Sequence, residues 1–215
     1  MREDNTRTGF FEPEQFTGVL GHLPAAIQPV IEFAYITGWR IDSEVLTLQW
    51  HQIDFAGREV RLDSGTTKNG EGRVFPLTDD LIALLDAQHI KHLALKKSGQ
   101  ICPWVFFRMV AESRGGKKHP KPIIAFNKAW KVACVSAGCP GRIPHDLRRT
   151  AVRNMVRRGV PERVAMKLTG HKTPSVFQRY NIVSDGDLRS AAVQLSGLTS
   201  GVRGDQVIGV QAVKR

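Results

Sequence analysis

The spacing of apolar positions divides this chain into short helices interrupted by one small strand region. Residues 1–15 are polar and expected to fray, with Pro13 and Glu14 opening a first helix that runs to about Gly21. From Pro24 to Thr37, Ile27, Val30, Ile31, Ala34 and Tyr35 recur at i, i+3, i+4 spacing, a helical stripe that Thr37-Gly38-Trp39-Arg40 breaks. Asp42 or Ser43 then caps a helix that turns Val45, Leu46 and Leu48 to the core. Between Gln52 and Leu62, Ile53, Phe55, Val60 and Leu62 around Gly57 read as a β-hairpin. Gly65 to Gly72 is a glycine- and lysine-bearing turn, Arg73–Leu77 a short strand, and Thr78-Asp79-Asp80 the N-cap of a helix to about His92.

The second half is more strongly helical. Lys96 to Lys121 is Gly/Lys-rich and weakly patterned, so it reads as a surface loop with Val105-Phe106-Phe107 as a short strand candidate. Phe126–Ala137 is helical, and a turn over Gly138–Pro144 leads into a helix opened by Pro144-His145-Asp146 and ended by Gly159. Pro161 at the first helical position starts a short helix that Gly170 ends, and Thr173-Pro174 caps the next, which delivers Tyr180. A final helix spans about Asp185–Leu195, and the Gly/Ser/Val tail from Ser196 shows no period and is expected to be mobile or partner-bound. No internal repeat appears. The pattern predicts an α/β fold, mainly α-helical with a small antiparallel β-sheet near residues 52–77. One domain covers 1–195, and 196–215 form a flexible tail.

Charge narrows the partners. The net charge is +11, which favours a polyanion, and its clustering strengthens that. Arg142, Arg148, Arg149, Arg153, Arg157, Arg158 and Arg163 crowd two predicted helices, opposed there only by Asp146 and Glu162. The three cysteines lack paired CxxC spacing, which argues against a disulfide framework or a structural zinc site and for a reducing compartment. His89 and His92 have HxxH spacing but no neighbouring cysteines or acidic cluster, so they read as helix-surface residues rather than metal ligands. No apolar run is long enough to span a membrane, and the charged N-terminus has no signal-peptide core, so a cytoplasmic location is expected.

The candidate chemistry lies between His145 and Tyr180. Of the two tyrosines, Tyr35 and Tyr180, only the second sits among cations. A phenol among arginines and histidines suits attack on a phosphodiester, with cations neutralising charge on phosphorus and imidazoles moving protons. His145 and Arg148 stand i, i+3 at a helix N-terminus, on one face and beside free backbone N–H groups. Arg149 lies on another azimuth and is expected to meet solvent or the DNA backbone. The plainer reading of HxxR is a helix with a solvated basic stripe.

Five segments together resemble the tyrosine recombinase (phage integrase) family: TGWR around Arg40, TTKNGEGRVFPL around Lys68, HDLRR, LTGHKTPSV and Tyr180, in this order from about residue 8 to 195. The resemblance implies the catalytic-domain fold, with Arg40, Lys68, His145, Arg148 and His171 around the scissile phosphate and Tyr180 as nucleophile. It implies a DNA recombinase forming a 3′-phosphotyrosyl bond, in which Arg40 and Arg148 bind the non-bridging oxygens. Lys68 would be the general acid, His145 a proton acceptor or donor, and His171 a hydrogen bond to the phosphate. Since the phosphotyrosine stores the bond energy, neither ATP nor a metal nor another cofactor is implied. Double-stranded DNA is the implied partner, with a homo-tetramer on it, and Arg149, Lys172 and Arg179 are the expected backbone contacts.

The chain departs from the family at one point. Members usually carry Arg-x-x-Glu, whereas Arg40-Ile41-Asp42-Ser43-Glu44 has one residue more between arginine and the supporting carboxylate. Family members also carry an N-terminal core-binding domain that clasps the DNA, expected to be absent from this chain. At single residues other readings stay open: Arg40 as a partner of Glu44, Lys68 as an ordinary turn lysine, Tyr180 as a capping aromatic. Two rival functions remain, a type IB topoisomerase-like nicking-resealing enzyme and a non-catalytic DNA-binding remnant of an integrase.

Overall fold

In the computed structural model, residues 9–65, 70–178, 180 and 185–196 are described. The chain divides into two units, residues 1–181 and 182–215. The first unit contains α1 (Pro13–His22), α2 (Gln28–Thr37), a π-helical turn (Ile41–Val45), α3 (Asp79–Lys97), α4 (Asn127–Ser136), α5 (Asp146–Arg157), α6 (Glu162–Thr169) and α7 (Pro174–Gln178). Between them lie a three-stranded antiparallel sheet, β1 (Ile53–Asp54), β2 (Glu59–Leu62) and β3 (Arg73–Pro76), and a separate hairpin, β4 (Phe107–Ala111) with β5 (Lys118–Pro122). The mainly helical α/β expectation holds.

Phe33, Trp39, Leu48, Leu81, Phe106, Leu147 and Phe177 are among the largest side chains buried completely. They come from nearly every element, so the core is one continuous cluster. α2 ends where it does because Gly38 adopts a left-handed cap, φ 66°, whose N–H bonds the Ala34 carbonyl. A Cβ on Gly38 would lie 3.0 Å from Ala151 Cβ and 3.1 Å from Thr169 Cγ2, so the glycine also lets α2 approach α5 and α6 closely. The sheet register sets Val60 against Phe75 and Leu62 against Arg73. Strand alternation therefore puts Arg73 on the same inner face as Phe75.

Several expectations give way. Residues 9–12, expected to fray, are pinned along α5. The Phe11 N–H donates to Thr150 Oγ1 at 2.9 Å, Arg153 donates to Glu12 at 2.8 Å, and the Arg153 guanidinium stacks 3.5 Å from the Phe10 ring centre. The polar letters of this segment concealed two aromatics with partners far along the chain. Residues 96–121 are mostly loop, as expected, but α3 continues to Lys97, and β4 pairs with β5 in the register Phe107↔Pro122 to Ala111↔Lys118. Neither strand has a buried face, so no alternation marks it in sequence. Val105 and Phe106 precede β4 and fill the core instead. His89 and His92 do not lie on an open helix surface; both rings pack 5.1 Å from the Trp50 ring.

The second unit contains α8 (Asp185–Leu195), on which Leu188, Val193 and Leu195 are exposed. Among the described residues no helix is long and apolar enough to cross a membrane.

Candidate active site

The segment after α2 carries the first cation. Its chain leaves Arg40 in an extended conformation and enters a turn closed by i→i−5 bonds, Val45 N–H to Arg40 O at 3.1 Å and Leu46 N–H to Ile41 O at 2.9 Å. This wider π turn replaces the helix expected from Asp42 or Ser43, and it takes up one residue more than an α turn. As a result Glu44 folds back on Arg40: one carboxylate oxygen accepts the Arg40 backbone N–H and the other Arg40 Nη1, each at 2.8 Å. The extra residue between Arg40 and Glu44 thus leaves their contact intact. Glu44 is wholly buried, and the carboxylate oxygen that meets Arg40 Nη1 also pairs with Arg73 Nη2.

α5 carries the next groups. Asp146 at its first position is fully buried; one oxygen accepts the Ile143 N–H at 3.0 Å and the other Arg149 Nη1 at 2.7 Å. That carboxylate fixes how the helix begins and so aims His145 and Arg148, one turn apart, the same way. Both line a cleft of about 260 Å³ together with Arg40, Ser43 and Pro144. Arg148 is 2% exposed and donates to the Gly38 carbonyl at 2.6 Å and to His171 Nε2 at 3.3 Å. Arg149, expected toward solvent or DNA, has a side chain 11% exposed, with its guanidinium 5.5 Å from the Tyr180 ring centre.

His171 follows the left-handed Gly170 that closes α6. The Thr169 hydroxyl gives its proton to the Ala165 carbonyl at 2.7 Å, so toward His171 Nδ1, also at 2.7 Å, it accepts. This assigns the ring as the Nδ1–H tautomer, with the Nε2 lone pair facing Arg148. Tyr180 stands one turn beyond α7, its N–H bonded to the Phe177 carbonyl at 2.8 Å. Its hydroxyl is 3.0 Å from His145 Nε2, and its ring is 4.7 Å from the His171 ring.

The electrostatics follow from packing three guanidinium groups, Arg40, Arg73 and Arg148, around one carboxylate. Burial and then the Arg40 cation bring Arg148 down to about 10, opposed by Glu44. Burial, followed by the cations of Arg148, Arg40 and Arg73, brings His171 down to about 3. His145 is lowered too, first by the part of its ring that is covered and then by Arg148 and Arg149, although its outer edge is exposed. Both histidines are therefore neutral near pH 7, and the site carries an excess of positive charge shaped for an anion.

Of the residues singled out from sequence, Arg40, His145 and Arg148 line this cleft, Glu44, His171 and Tyr180 each contact one of them, and Arg149 faces the Tyr180 ring. Lys172 is exposed beside His171, 3.2 Å from Glu71. Lys68 and Arg179 lie outside the described residues. Sequence reading passed over Arg73, Thr169 and Asp146. A signal for Arg73 existed: it shares strand parity with Phe75 and Leu77, which places a cation on a buried face. Among the described residues no group of three or more His, Cys, Asp or Glu side chains is placed to hold a metal ion.

A model of the phage integrase family matches residues 12–186. The chain belongs to the phage integrase family. The integrase of Salmonella phage P22 is 26% identical over 198 residues, covering 90% of this chain and 49% of that protein. A tyrosine recombinase of Thermosipho africanus is 30% identical over 167 residues, covering 77% of this chain and 52% of its own length. The chain thus spans about half the length of these curated relatives. The fold matches the crystal structure of XerA recombinase with a TM-score of 0.65 at 17% identity, over 86% of this chain and 63% of that one. It also matches the catalytic domain of bacteriophage HP1 integrase, with a TM-score of 0.57 at 18% identity, over 90% of this chain and 98% of that domain.

Proposed function

We propose that this integrase-family chain is the catalytic part, residues 1–195, of a site-specific DNA recombinase that cleaves and rejoins strands through a 3′-phosphotyrosyl intermediate. The observation that carries this reading is the 3.0 Å approach of the Tyr180 hydroxyl to His145 Nε2 at the edge of a cleft lined by Arg40 and Arg148. A neutral His145 accepts the phenol proton as the tyrosyl oxygen attacks phosphorus. The new bond is Tyr180 O–P, the bond broken is P–O5′, and the departing 5′-oxygen takes a proton from Lys68. Two negative charges build on the phosphorane. The three arginines exceed Glu44 by two charges, which suits that transition state better than the singly charged ground state. His171 enters differently: its Nε2 accepts from Arg148, so hydrogen-bonding to phosphate requires a proton that the bound anion would favour.

The partner in this reading is double-stranded DNA, held by Lys172 and Arg179 at its backbone, whereas Arg149 is drawn inward to Asp146 and Tyr180. Several copies, a tetramer, would assemble on it, with residues after Ile182 reaching a neighbouring copy and the exposed apolar side chains of α8 as the docking face. A cytoplasmic, nucleoid-associated location goes with this reading. Type IB-like relaxation is the runner-up, since the same residues nick and reseal; products of two-site strand exchange against relaxed circles separate the two.

The deciding experiment incubates the protein at low salt with nicked suicide duplexes and scores SDS-resistant, protease-sensitive DNA. The expected result is an adduct that Tyr180→Phe abolishes while DNA binding persists. Clear binding without any adduct, again after an N-terminal DNA-clasping domain is supplied, would instead make the chain a binding remnant.

A further inference from the structure

Arg73 on β3 connects three of the segments that carry the site, though no chemistry has been assigned to it. Its Nη2 pairs with the Glu44 oxygen that Arg40 uses. Its Nη1 donates at 2.9 Å to the carbonyl of Thr169, whose hydroxyl holds His171. Its strand starts five residues after Lys68 in the sequence. The guanidinium also lies 5.4 Å from the ring of Trp39, the neighbour of Arg40. A Cβ at Gly170 would collide with Nη1, so the backbone between Thr169 and His171 lacks a side chain where the guanidinium enters. With its side chain 9% exposed, Arg73 is placed to hold protein groups rather than DNA.

We infer that Arg73 is a positioning residue for strand cleavage, locking the Arg40–Glu44 pair and the Thr169–His171 turn into one register and sharing Glu44 so that Arg40 keeps charge for the phosphate. The inference rests on the phosphotyrosine reading above. A carboxylate facing Arg40 alone would form a neutral pair and reduce the pull on an incoming anion. Divided between two guanidinium groups, the same carboxylate still orients Arg40 yet neutralises only half of the charge beside it. The arrangement needs a planar fork with N–H groups in two directions, one for Glu44 and one for the Thr169 carbonyl. A lysine offers a compact charge without that fork.

The test compares wild type, Arg73→Gln and Arg73→Lys in the full chain. It uses single-turnover cleavage of a suicide duplex, duplex affinity, the thermal midpoint, and NMR titration of the His171 ring. Cleavage should fall on the order of 100-fold in both variants, the scale expected of small misplacements in a site, while duplex affinity stays near wild type. His171 should titrate higher in Arg73→Gln, because one of the cations facing it is lost while Arg148 and Arg40 remain, and Arg73→Lys should largely restore that titration without restoring the rate. A residue that only supports the fold would lower the midpoint and leave the folded protein's rate and His171 titration unchanged. Wild-type cleavage by either folded variant, or a rate loss matched by an equal loss of affinity, overturns the inference. Should Arg73→Gln fail to fold, Arg73→Lys carries the rate measurement. If wild type itself forms no adduct, the phosphotyrosine reading falls, and an unmoved His171 titration in a folded variant then overturns the role of Arg73 separately.

Discussion

On one side of the site, Glu44, Arg148 and His171 are 0, 2 and 8% exposed, and each holds at least two partners, one or more of them from a distant segment. On the other, Tyr180 is half-buried and its hydroxyl meets His145 through one exposed contact. The first side is an anion receptor built before any anion arrives: its dipoles and charges are fixed by folding, so little reorganisation is left for the reaction. The second side holds the Tyr180 hydroxyl near His145 with few constraints, which in the proposed reaction suits a group that forms a bond with DNA and later releases it. Stability and chemistry are thus unevenly divided across a few ångströms.

Substitutions should expose that division. Arg148→Gln is expected to have the largest effect, lowering cleavage by roughly 10²- to 10³-fold, as loss of one transition-state donor does, and reducing the thermal midpoint because Gly38 O and His171 lose their partner. Tyr180→Phe should leave the midpoint within the small shift of one exposed hydrogen bond. Equal destabilisation by the two would erase the contrast between the sides. Next, Glu44→Ala leaves Arg40 and Arg73 without their counter-charge and is expected to cost about 3–5 kcal/mol, the range for breaking a buried pair, read from urea unfolding. A cost below about 1 kcal/mol would mean that solvent reaches this cluster.

Acid should weaken the buried side selectively. The unfolded His171 ring takes a proton near its ordinary 6.5, whereas the folded one waits until about 3, so between these values the unfolded state binds more protons. Stability that is full above pH 6.5 is therefore lost as pH falls through that window, and His145, also lowered, adds in the same direction. Urea midpoints from pH 7 to pH 4 should fall less steeply in His171→Gln than in wild type; parallel curves would refute the assignment. The smallest effect is expected at the exposed surface. Lys172→Gln should weaken duplex binding across all sequences and reduce the slope of log affinity against log salt by about one. An unchanged slope would remove Lys172 from the phosphate contacts.

Much of the helical frame was legible because its signals are local. Gly38, Gly159 and Gly170 end helices in left-handed conformations, and Thr78 caps α3 through its own hydroxyl. The β4–β5 hairpin was not legible, since its strands bury no face and carry two prolines. Nor was the pinning of residues 9–12, whose partners on α5 lie some 140 residues away in sequence. Within the site, Tyr180 stood out as the tyrosine among cations, and HxxR pointed to one helix face. Glu44 could not be judged from spacing, because a π turn and an α turn return different residues to the same place.

By itself, then, the sequence determined which side chains were available for phosphoryl chemistry and the helices and turns that present them, since period and turn preference act over a few residues. Only the tertiary structure decided that Arg73 and Thr169 belong to the site, that Arg149 turns toward Tyr180, and that both histidines are neutral near pH 7. The reason is physical: burial and the field of neighbouring charges are set by segments far apart along the chain, and no local pattern encodes them.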